Sequence, residues 1–373
     1  MMKKVLVFSY NLCPTNGVAN CIMQYYEAVI KQGMHIDFLV ISDEDSAWKE
    51  KIKEQGHVHV WPKGEKYSRN VMVYLCSIIS EGEYSIVHVN VPGEYGATLL
   101  YAASKCSVPV RIYHSHNPKS KPFSRSWLVS MIFDPVCCKL ANALLACSTS
   151  AGRSTFGKKK FQVLRNCIDA EAFRFNSHSR DYKRKELGIS PELFVIGCVG
   201  RLEEQKNPIF SLKCIKELRK IRNDFVFIWF GRGSLYEQVN CFVRENEMEE
   251  YVLLPGAKNN IHEWYSAMDC FFLPSQFEGL GIVFIEAQAS GLRCIGSTNI
   301  PDDTEITPLM RRVELAKRPS AWAEILSQSL KKRDREEHFY KIMETGYDIA
   351  YESDRLFQIY SDMLKRKTSE GAE

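Results

Sequence analysis

The sequence has no apolar run that approaches the roughly 18 residues needed to cross a bilayer. No signal pattern precedes its first strand-like run, Val5 to Ser9. Cys-x-x-Cys pairs are also missing, although 13 cysteines are scattered along the chain. Such scattered cysteines are typical of reduced, buried thiols and argue against a disulfide framework or a zinc site. We therefore expect a cytoplasmic protein that is not integral to a membrane.

A strong excess of charge of either sign is missing too. The 373 residues include 49 Lys and Arg and 45 Asp and Glu, which gives a net charge of +4. This mildly basic balance suits an anionic small ligand or a membrane surface better than nucleic acid. A hydrophobic content of 45% is that of a globular protein, and the length favours two domains.

Short apolar runs alternate with helical patterns in both halves of the chain. The strand-like runs include Val5–Phe8, Ile36–Ile41, Ser85–Val89, Val108–Tyr113, Phe194–Val199 and Phe225–Phe230. This alternation predicts an α/β protein with two doubly wound domains, each built on a parallel sheet. Ligands of such sheets bind beyond the carboxyl ends of the strands.

The charged stretch Phe175–Glu192 is the best candidate for a linker between the two domains. We therefore expect a first domain over residues 1–175 and a second over residues 176–349. An amphipathic helix near the carboxyl terminus, within residues 350–373, is expected to cross back and pack on the first domain.

The segment Phe271–Leu292 is predicted to form a strand, a glycine loop and the start of a helix. Its apolar run stops at Pro274, a polar turn with Gly279 and Gly281 follows, and the helical run ends at Gly291. Because the first N–H groups of a helix have no partner within it, this arrangement points them at an anionic ligand.

Two carboxylates, Glu278 and Glu286, bracket this loop with the spacing Glu-x7-Glu. The neighbours of Glu286 are apolar, so its carboxylate needs partners, and the hydroxyls of a ligand could supply them. The alternative is a glutamate near a helix N-terminus that the helix dipole stabilises.

Two cations, Arg201 and Lys206, follow the predicted strand Phe194–Val199 and precede a helix. A cation near a helix N-terminus is unfavourable unless an anion joins it. A diphosphate would be a suitable anion, since arginine binds oxygens as a fork and lysine acts as a point charge. The alternative is a pair of solvated loop cations.

The motif Val-Gly-Arg-Leu-x-x-x-Lys-Asn, followed by Glu-x7-Glu, resembles the retaining glycosyltransferase family of the glycogen-synthase and sucrose-synthase type, usually numbered family four. The resemblance implies the GT-B fold of two facing Rossmann-like domains. Within the family, the sequence is most similar to bacterial capsule and exopolysaccharide glycosyltransferases. The matching elements are Gly17-Val18, His114-Ser115-His116-Asn117, Cys147-Ser148 and Asn166-Cys167-Ile168-Asp169.

The resemblance also implies a role for each matched residue. Glu286 would hold the ribose hydroxyls of a nucleotide sugar, and Glu278 would lie beside the transferred hexose. Arg201 and Lys206 would bind the diphosphate. The N–H groups of Gly279, Leu280 and Gly281 would complete the anion site, with Lys258 near the nucleobase and Gly17 in the donor-binding set.

The residues expected to act in catalysis are Glu278, His116, Arg201 and Lys206, with no metal. His114 is an alternative to His116 for the position beside the sugar, and a satisfied histidine at a strand end is the simpler interpretation of either. The family's double glycine near the amino terminus is Asn16-Gly17 here, and its Asn-Gly-Ile-Asp has Cys167 in place of glycine.

The function implied is transfer of a hexose from a nucleotide diphosphate sugar, a UDP-sugar, to a growing lipid-linked surface polysaccharide. No cofactor beyond the donor is expected, because fixed cations and N–H groups can stabilise the leaving diphosphate. Two alternatives remain open: a nucleotide-sugar epimerase of the same fold and a non-catalytic sugar-nucleotide binder.

Three further stretches of the sequence have more than one interpretation. Residues 119–127 mix cations with aromatics, which fits either a solvated helix entry or a surface that meets anionic lipid. Asp43-Glu44-Asp45 has the Asp-x-Asp pattern of metal-dependent transferases, but a solvated loop is expected there. Gly231-Arg232-Gly233 lacks the third glycine of a dinucleotide fingerprint.

Overall fold

The computed structural model describes residues 3–13, 17–43, 47–116, 124–331 and 334–370. The chain forms two compact units, one of Met1–Cys167 with Ile349–Glu373 and one of Ile168–Asp348. The strands are β1 (Lys3–Ser9), β2 (Met34–Val40), β3 (Val58–Val60), β4 (Ile86–Val89), β5 (Val110–Ser115), β6 (Ala143–Ala146), β7 (Gln162–Val163), β8 (Phe194–Val199), β9 (Phe225–Phe230), β10 (Val252–Leu253), β11 (Cys270–Leu273), β12 (Arg293–Ser297) and β13 (Met310–Val313). The helices are α1 (Gly17–Lys31), α2 (Ala47–Lys53), α3 (Arg69–Gly82), α4 (Gly93–Lys105), α5 (Arg125–Leu140), α6 (Thr149–Phe156), α7 (Ala170–Phe173), α8 (Ser177–Glu186), α9 (Pro208–Arg219), α10 (Tyr236–Glu245), α11 (Ile261–Ala267), α12 (Ile282–Ala289), α13 (Pro319–Ser329), α14 (Phe339–Glu344), α15 (Ile349–Glu352) and α16 (Arg355–Glu370).

The first unit is built on a parallel sheet with the strand order β3-β2-β1-β4-β5-β6-β7. Side chains alternate between its two faces, so Val5 and Val7 pack on one side while Leu6 and Phe8 pack on the other. Helices cover both faces, as a parallel sheet requires. Tyr360 of α16 is buried in the cluster on the Val5 side. The expected return of the carboxyl-terminal helix to the first unit is therefore confirmed.

The second unit is a parallel sheet with the order β10-β9-β8-β11-β12-β13. Strand β9 is buried along its whole length, consistent with its continuous apolar sequence. Strands β8 and β11 are neighbours, with Ile196 opposite Cys270 and Gly197 opposite Phe271. The loops that follow these two strands therefore leave the same edge of the sheet side by side. The predicted α/β class with two parallel sheets is confirmed.

The charged stretch predicted as a linker is instead folded into the second unit as α8. Arg180 and Arg184 donate to the two oxygens of Asp269, at 2.6 and 2.5 Å, and the same carboxylate accepts the backbone N–H of Val195 at 2.7 Å. The prediction was wrong because it treated charge as a sign of solvation, whereas these charges are paired against the sheet. The units divide after Cys167 and after Asp348, rather than after residues 175 and 349.

The cysteines are free thiols, and most of them are buried. Cys167, which replaces the family's glycine, is buried with its sulfur 3.0 Å from the hydroxyl of Tyr25. This replacement therefore contributes to packing in the first unit. No helix among the described residues is both long enough and apolar enough to cross a membrane.

Candidate active site

The loops after β8 and β11 bring the two sequence motifs of the second unit together. Lys206 Nζ donates to Glu278 Oε1 at 2.7 Å, although the two residues are 72 positions apart. The backbone joins the loops as well, since Gln276 N–H donates to the carbonyl of Gln205 at 2.8 Å. The predicted cation and the first predicted carboxylate therefore belong to one site at the carboxyl edge of the sheet.

Glu278 is held in a fixed orientation by several donors. Its side chain is only 5% exposed. Besides Lys206, Ser275 Oγ donates to Oε1 at 2.5 Å, and Gln205 Nε2 lies 3.5 Å from Oε2. Sequence reasoning missed Ser275 and Gln205, although both lie inside the two motifs that it used. A carboxylate with these partners is well suited to accept a hydrogen bond from a ligand at a defined position.

The loop between Glu278 and α12 is shaped by Gly281. Its φ is +76°, in the left-handed region, and a Cβ there would lie 3.2 Å from Phe284 and 3.3 Å from Thr304. Gly281 is also the N-cap of α12, with no side-chain hydrogen bond capping the helix. The side chain of Leu280 is buried in an apolar cluster, which leaves its backbone N–H as the group that the predicted anion site would use. Glycine therefore lets the chain pass close to the helix start.

Glu286 lies in α12 among buried apolar residues and is 6% exposed. Tyr265 donates to its Oε2 at 2.7 Å. Oε1 has no hydrogen-bond partner among the residues that the structure describes. Burial raises the pKa of Glu286 from 4.5 to about 7, against the opposing effects of the Tyr265 hydrogen bond and the positive charge of Lys206. The expectation that this carboxylate needs a partner is met in part by Tyr265, which sequence reasoning did not find.

Among the described residues, neither Arg201 nor Lys258 forms a hydrogen bond or an ion pair with Glu278 or Glu286. Arg201 is exposed in the loop after β8. Lys258 Nζ lies 5.5 Å from the ring centre of Trp264 and 4.0 Å from Glu186. Lys258 thus lies over an aromatic ring, with a carboxylate at the limit of ion-pair distance.

Gly231 and Gly233, which follow β9, have a packing role. A Cβ on Gly231 would lie 2.0 Å from the carbonyl oxygen of Gly200, and one on Gly233 would lie 2.3 Å from that of Leu202. Only glycine allows such an approach. These glycines therefore support the loop that carries Arg201 and Lys206.

A row of buried histidines lies in the first unit, on β4 and β5. His88 Nδ1 lies 2.7 Å from the Tyr360 hydroxyl, and its Nε2 lies 3.1 Å from His114 Nδ1. His116 follows the carboxyl end of β5, and its Nε2 lies 2.8 Å from Asn90 Oδ1. His116 Nδ1 has no hydrogen-bond partner among the described residues. Of the two histidines left open by the sequence, His114 is enclosed within the strand and His116 is at its end.

Burial lowers the pKa of His116 and of His88 to about 3 and holds that of His114 well below its usual value. The rings are therefore neutral near pH 7. With Asn90 Oδ1 accepting from Nε2–H, the lone pair of His116 lies on Nδ1.

The remaining predicted features form no hydrogen bond or ion pair with these groups among the described residues, or lie outside those residues. Gly17 is the exposed first residue of α1. Asp43 is exposed and paired with Lys49, whereas Glu44 and Asp45 lie outside the described residues. Residues 117–123, which include Lys119, lie outside them as well, and the description resumes just before α5.

Comparison with known proteins covers both halves of the chain. The profile described as Glycosyltransferase Family 4 matches residues 15–172, and the one described as Glycosyl transferases group 1 matches residues 179–342. EpsF of Bacillus subtilis (strain 168), provisionally named a glycosyltransferase, is 31% identical over 359 residues, which cover 92% of this chain and 93% of EpsF.

Two further relatives are informative. The UDP-Gal:alpha-D-GlcNAc-diphosphoundecaprenol alpha-1,3-galactosyltransferase of Escherichia coli is 29% identical over 242 residues, 61% of each chain. The crystal structure of Anabaena Alr3699/HepE in complex with UDP and glucose shares the fold, with a TM-score of 0.78, 16% identity and coverage of 96% of this chain and 100% of that one. The resemblance stated from the motifs is confirmed: this chain belongs to glycosyltransferase family 4 and is a glycosyltransferase of the GT-B fold that uses a nucleotide-sugar donor.

Proposed function

We propose that this protein is a retaining hexosyltransferase that moves a sugar from a UDP-sugar to a lipid-linked saccharide during the synthesis of a surface polysaccharide. The donor binds to the second unit and the acceptor to the first. The observation that carries the proposal is the Lys206–Glu278 pair at 2.7 Å, on the edge of the sheet where the helix α12 begins.

The donor half is assigned from the chemistry of its side chains. The ammonium of Lys206 has three N–H donors, and one of them binds Glu278, so the others are free to bind diphosphate oxygens. Arg201, earlier in the same loop, adds an exposed guanidinium. Negative charge grows on the diphosphate as the glycosidic bond breaks, and cations already in place stabilise it without rearrangement. No step of this scheme requires a metal ion.

Each carboxylate has a separate task. The open Oε1 of Glu286 accepts a ribose hydroxyl, while Oε2 keeps its bond from Tyr265. Glu278 accepts a hydroxyl of the hexose. Its partners Lys206 and Ser275 reduce its strength as a nucleophile, so we assign it to orientation of the sugar. The retaining mode is proposed from family membership.

The lipid-linked acceptor is supported by the names of two relatives. The Escherichia coli enzyme acts on a diphosphoundecaprenol substrate, and so does a Campylobacter jejuni relative, a 4-alpha-N-acetylgalactosaminyltransferase that is 25% identical over 195 residues. A surface polysaccharide as the product is supported by the name of a Rhizobium meliloti relative, the lipopolysaccharide core biosynthesis mannosyltransferase LpsB, which is 27% identical over 140 residues.

The exposed side of α5 in the first unit supports contact of the protein with a membrane. Leu128, Met131, Ile132 and Val136 are exposed along this helix, at spacings that place them on one side, and Ile132 is 63% exposed. An exposed apolar row of this kind is unusual unless it meets a membrane or another protein. Basic residues lie at its amino-terminal end in sequence, and we propose that this surface contacts anionic lipid.

The test of the chemistry is incubation with UDP-sugars and a polyprenyl-diphosphate saccharide, with release of UDP and the anomeric configuration of the product as readouts. We expect UDP release that depends on the acceptor and a product with the anomeric configuration of the donor. An epimerase would convert the sugar and release no UDP, and a binding protein would do neither. An inverted product would contradict the retaining mode alone.

The test of the membrane surface is co-sedimentation with phosphatidylglycerol vesicles at low salt. Met131→Ser with Ile132→Ser should reduce binding, while Val73→Ser, at an equally exposed position on α3, should not. Equal binding to neutral vesicles, or no effect of the double variant, would count against this surface.

A further inference from the structure

A cluster of two histidines and an aspartate lies in the first unit, away from the carboxyl edge that carries His116. His35 and Asp37 lie on the same face of β2, two residues apart, and His57 directly precedes β3. His35 Nε2 lies 2.8 Å from Asp37 Oδ1, and His57 Nδ1 lies 3.6 Å from the same oxygen. The three atoms all lie within 4.8 Å of one another.

The carboxylate at the centre of this cluster is fixed. Tyr84 donates to Asp37 Oδ2 at 2.6 Å, and the backbone N–H of His57 donates to Oδ1 at 2.6 Å. These hydrogen bonds keep the carboxylate in one orientation, as outer hydrogen bonds do for metal ligands.

The backbone before β3 approaches this carboxylate because residue 56 is glycine. A Cβ on Gly56 would lie 2.6 Å from the carbonyl oxygen of Ile36 and 3.0 Å from Asp37 Oδ1. The amide of Phe38 donates to the carbonyl of His57 at 2.8 Å and fixes the register of the loop. The pairing of β2 with β3 therefore holds the backbone of His57 next to Asp37.

We propose that His35, Asp37 and His57 bind one divalent transition-metal ion of the zinc type. Imidazole nitrogens and a carboxylate oxygen are zinc ligands at about 2.0–2.2 Å, so two ligand atoms in a tetrahedral site lie about 3.3 Å apart. The observed separations of 2.8 and 3.6 Å fall on either side of that value. The side chain of His57 is 77% exposed, so the ion reaches the site from solvent and completes its shell with water.

Binding requires one tautomer of His35. In the neutral, metal-bound ring the single hydrogen is on Nδ1, and the lone pair of Nε2, which lies 2.8 Å from Asp37 Oδ1, binds the ion.

The proposed ion joins β2 to the edge strand of the sheet. Strand β3 has only three residues, all partly exposed, so few contacts of its own hold it in place. The register of the sheet puts Asp37 level with Leu6, whereas His116 follows the end of β5. A metal at the cluster therefore stabilises the edge of the first unit and takes no part in sugar transfer.

The experiment titrates the full-length, metal-free protein with Co²⁺ and Zn²⁺. The absorption spectrum of bound Co²⁺ shows whether its ligands include thiolates. This distinction is needed because the cysteine thiols of the protein compete for both ions. We expect one ion per chain with no thiolate charge-transfer band, and an unfolding temperature that rises with Zn²⁺. His57→Ala, which keeps the backbone N–H and removes an exposed ring, should weaken binding more than about tenfold. His35→Ala should do the same.

His178→Ala, at an exposed histidine of the second unit, is the matched control and should bind as the unchanged protein does. Sugar transfer by folded His57→Ala protein should be unchanged. Absence of binding, equal affinity of His57→Ala, or a thiolate band at the first equivalent would each overturn the proposal.

Discussion

The substitution Glu286→Gln measures how much the buried, ionised carboxylate of Glu286 in α12 lowers the free energy of unfolding. Glutamine has nearly the same shape and keeps an oxygen that can accept the Tyr265 hydroxyl, now 2.7 Å from Glu286. It removes only the ionisation. The difference between the two proteins as the pH changes therefore measures the burial of a negative charge.

The pKa of Glu286 rises from 4.5 to about 7 on folding, mainly through burial. Because the folded-state value is the higher one, the contribution of this group to stability is most favourable below pH 4.5 and is lost as the pH rises through 7. At about 1.36 kcal/mol per pKa unit, the loss is about 3 kcal/mol near pH 8.5 and about 1 kcal/mol near pH 5.5. Glutamine carries no charge, so the protein with Glu286→Gln has no such loss of stability at either pH.

We therefore expect the stability gained by Glu286→Gln to be about 2 kcal/mol larger at the higher pH, or about 4–8 °C in unfolding temperature for a unit of this size. Thermal unfolding of both proteins at the two pH values measures it. Glu237→Gln, at an exposed position on α10, is the control and should show no such dependence. The reasoning is refuted if the gain from Glu286→Gln is the same at both pH values.

The same variant should bind the donor less well. A ribose hydroxyl accepted by Glu286 does not change during the reaction, so the loss should appear as a higher KM for the donor with a much smaller change in kcat. A variant that is more stable and less able to bind substrate is typical of a residue retained for function.

Three other predictions test neighbouring groups. Lys206→Ala should lower kcat by about 100-fold or more at saturating donor, because it removes charge that stabilises the leaving diphosphate; a change in KM alone would contradict this role. Transfer should continue in EDTA, measured as UDP release, and a loss that Mg²⁺ restores would contradict a metal-independent site. Asp269→Asn should destabilise the second unit by about 3–5 kcal/mol in urea unfolding, since it leaves the buried charge of Arg184 without its carboxylate; an effect below about 1 kcal/mol would contradict it.

The sequence was sufficient for the parts of the fold and site that depend on local pattern. Continuous apolar runs such as Phe225–Phe230 predict buried parallel strands, and the structure has β9 there. The resemblance of the two motifs to the glycosyltransferase family predicts that Arg201, Lys206 and Glu278 belong to one site. The contact between Lys206 and Glu278 then follows from the adjacency of β8 and β11.

The sequence was insufficient where a side chain depends on a partner from another element. Tyr265 belongs to α11, and nothing in its own surroundings indicates that its hydroxyl reaches Glu286. Asn90 holds His116 only because β4 and β5 are neighbours. The charged helix α8 was mistaken for a linker because the acceptor of its two arginines, Asp269, precedes a strand far along the chain.

The two carboxylates of the donor site differ because one has a cation and the other does not. Glu278 is bound by Lys206, so its charge and that of the lysine offset each other's desolvation before any ligand arrives. Glu286 has only a neutral hydroxyl at 2.7 Å, and the charge of Lys206 lowers its pKa less than burial raises it. Loss of Lys206 should therefore raise the pKa of Glu286 further. We therefore propose that the lysine supports both halves of the donor site, the diphosphate by direct contact and the ribose through the charge state of Glu286.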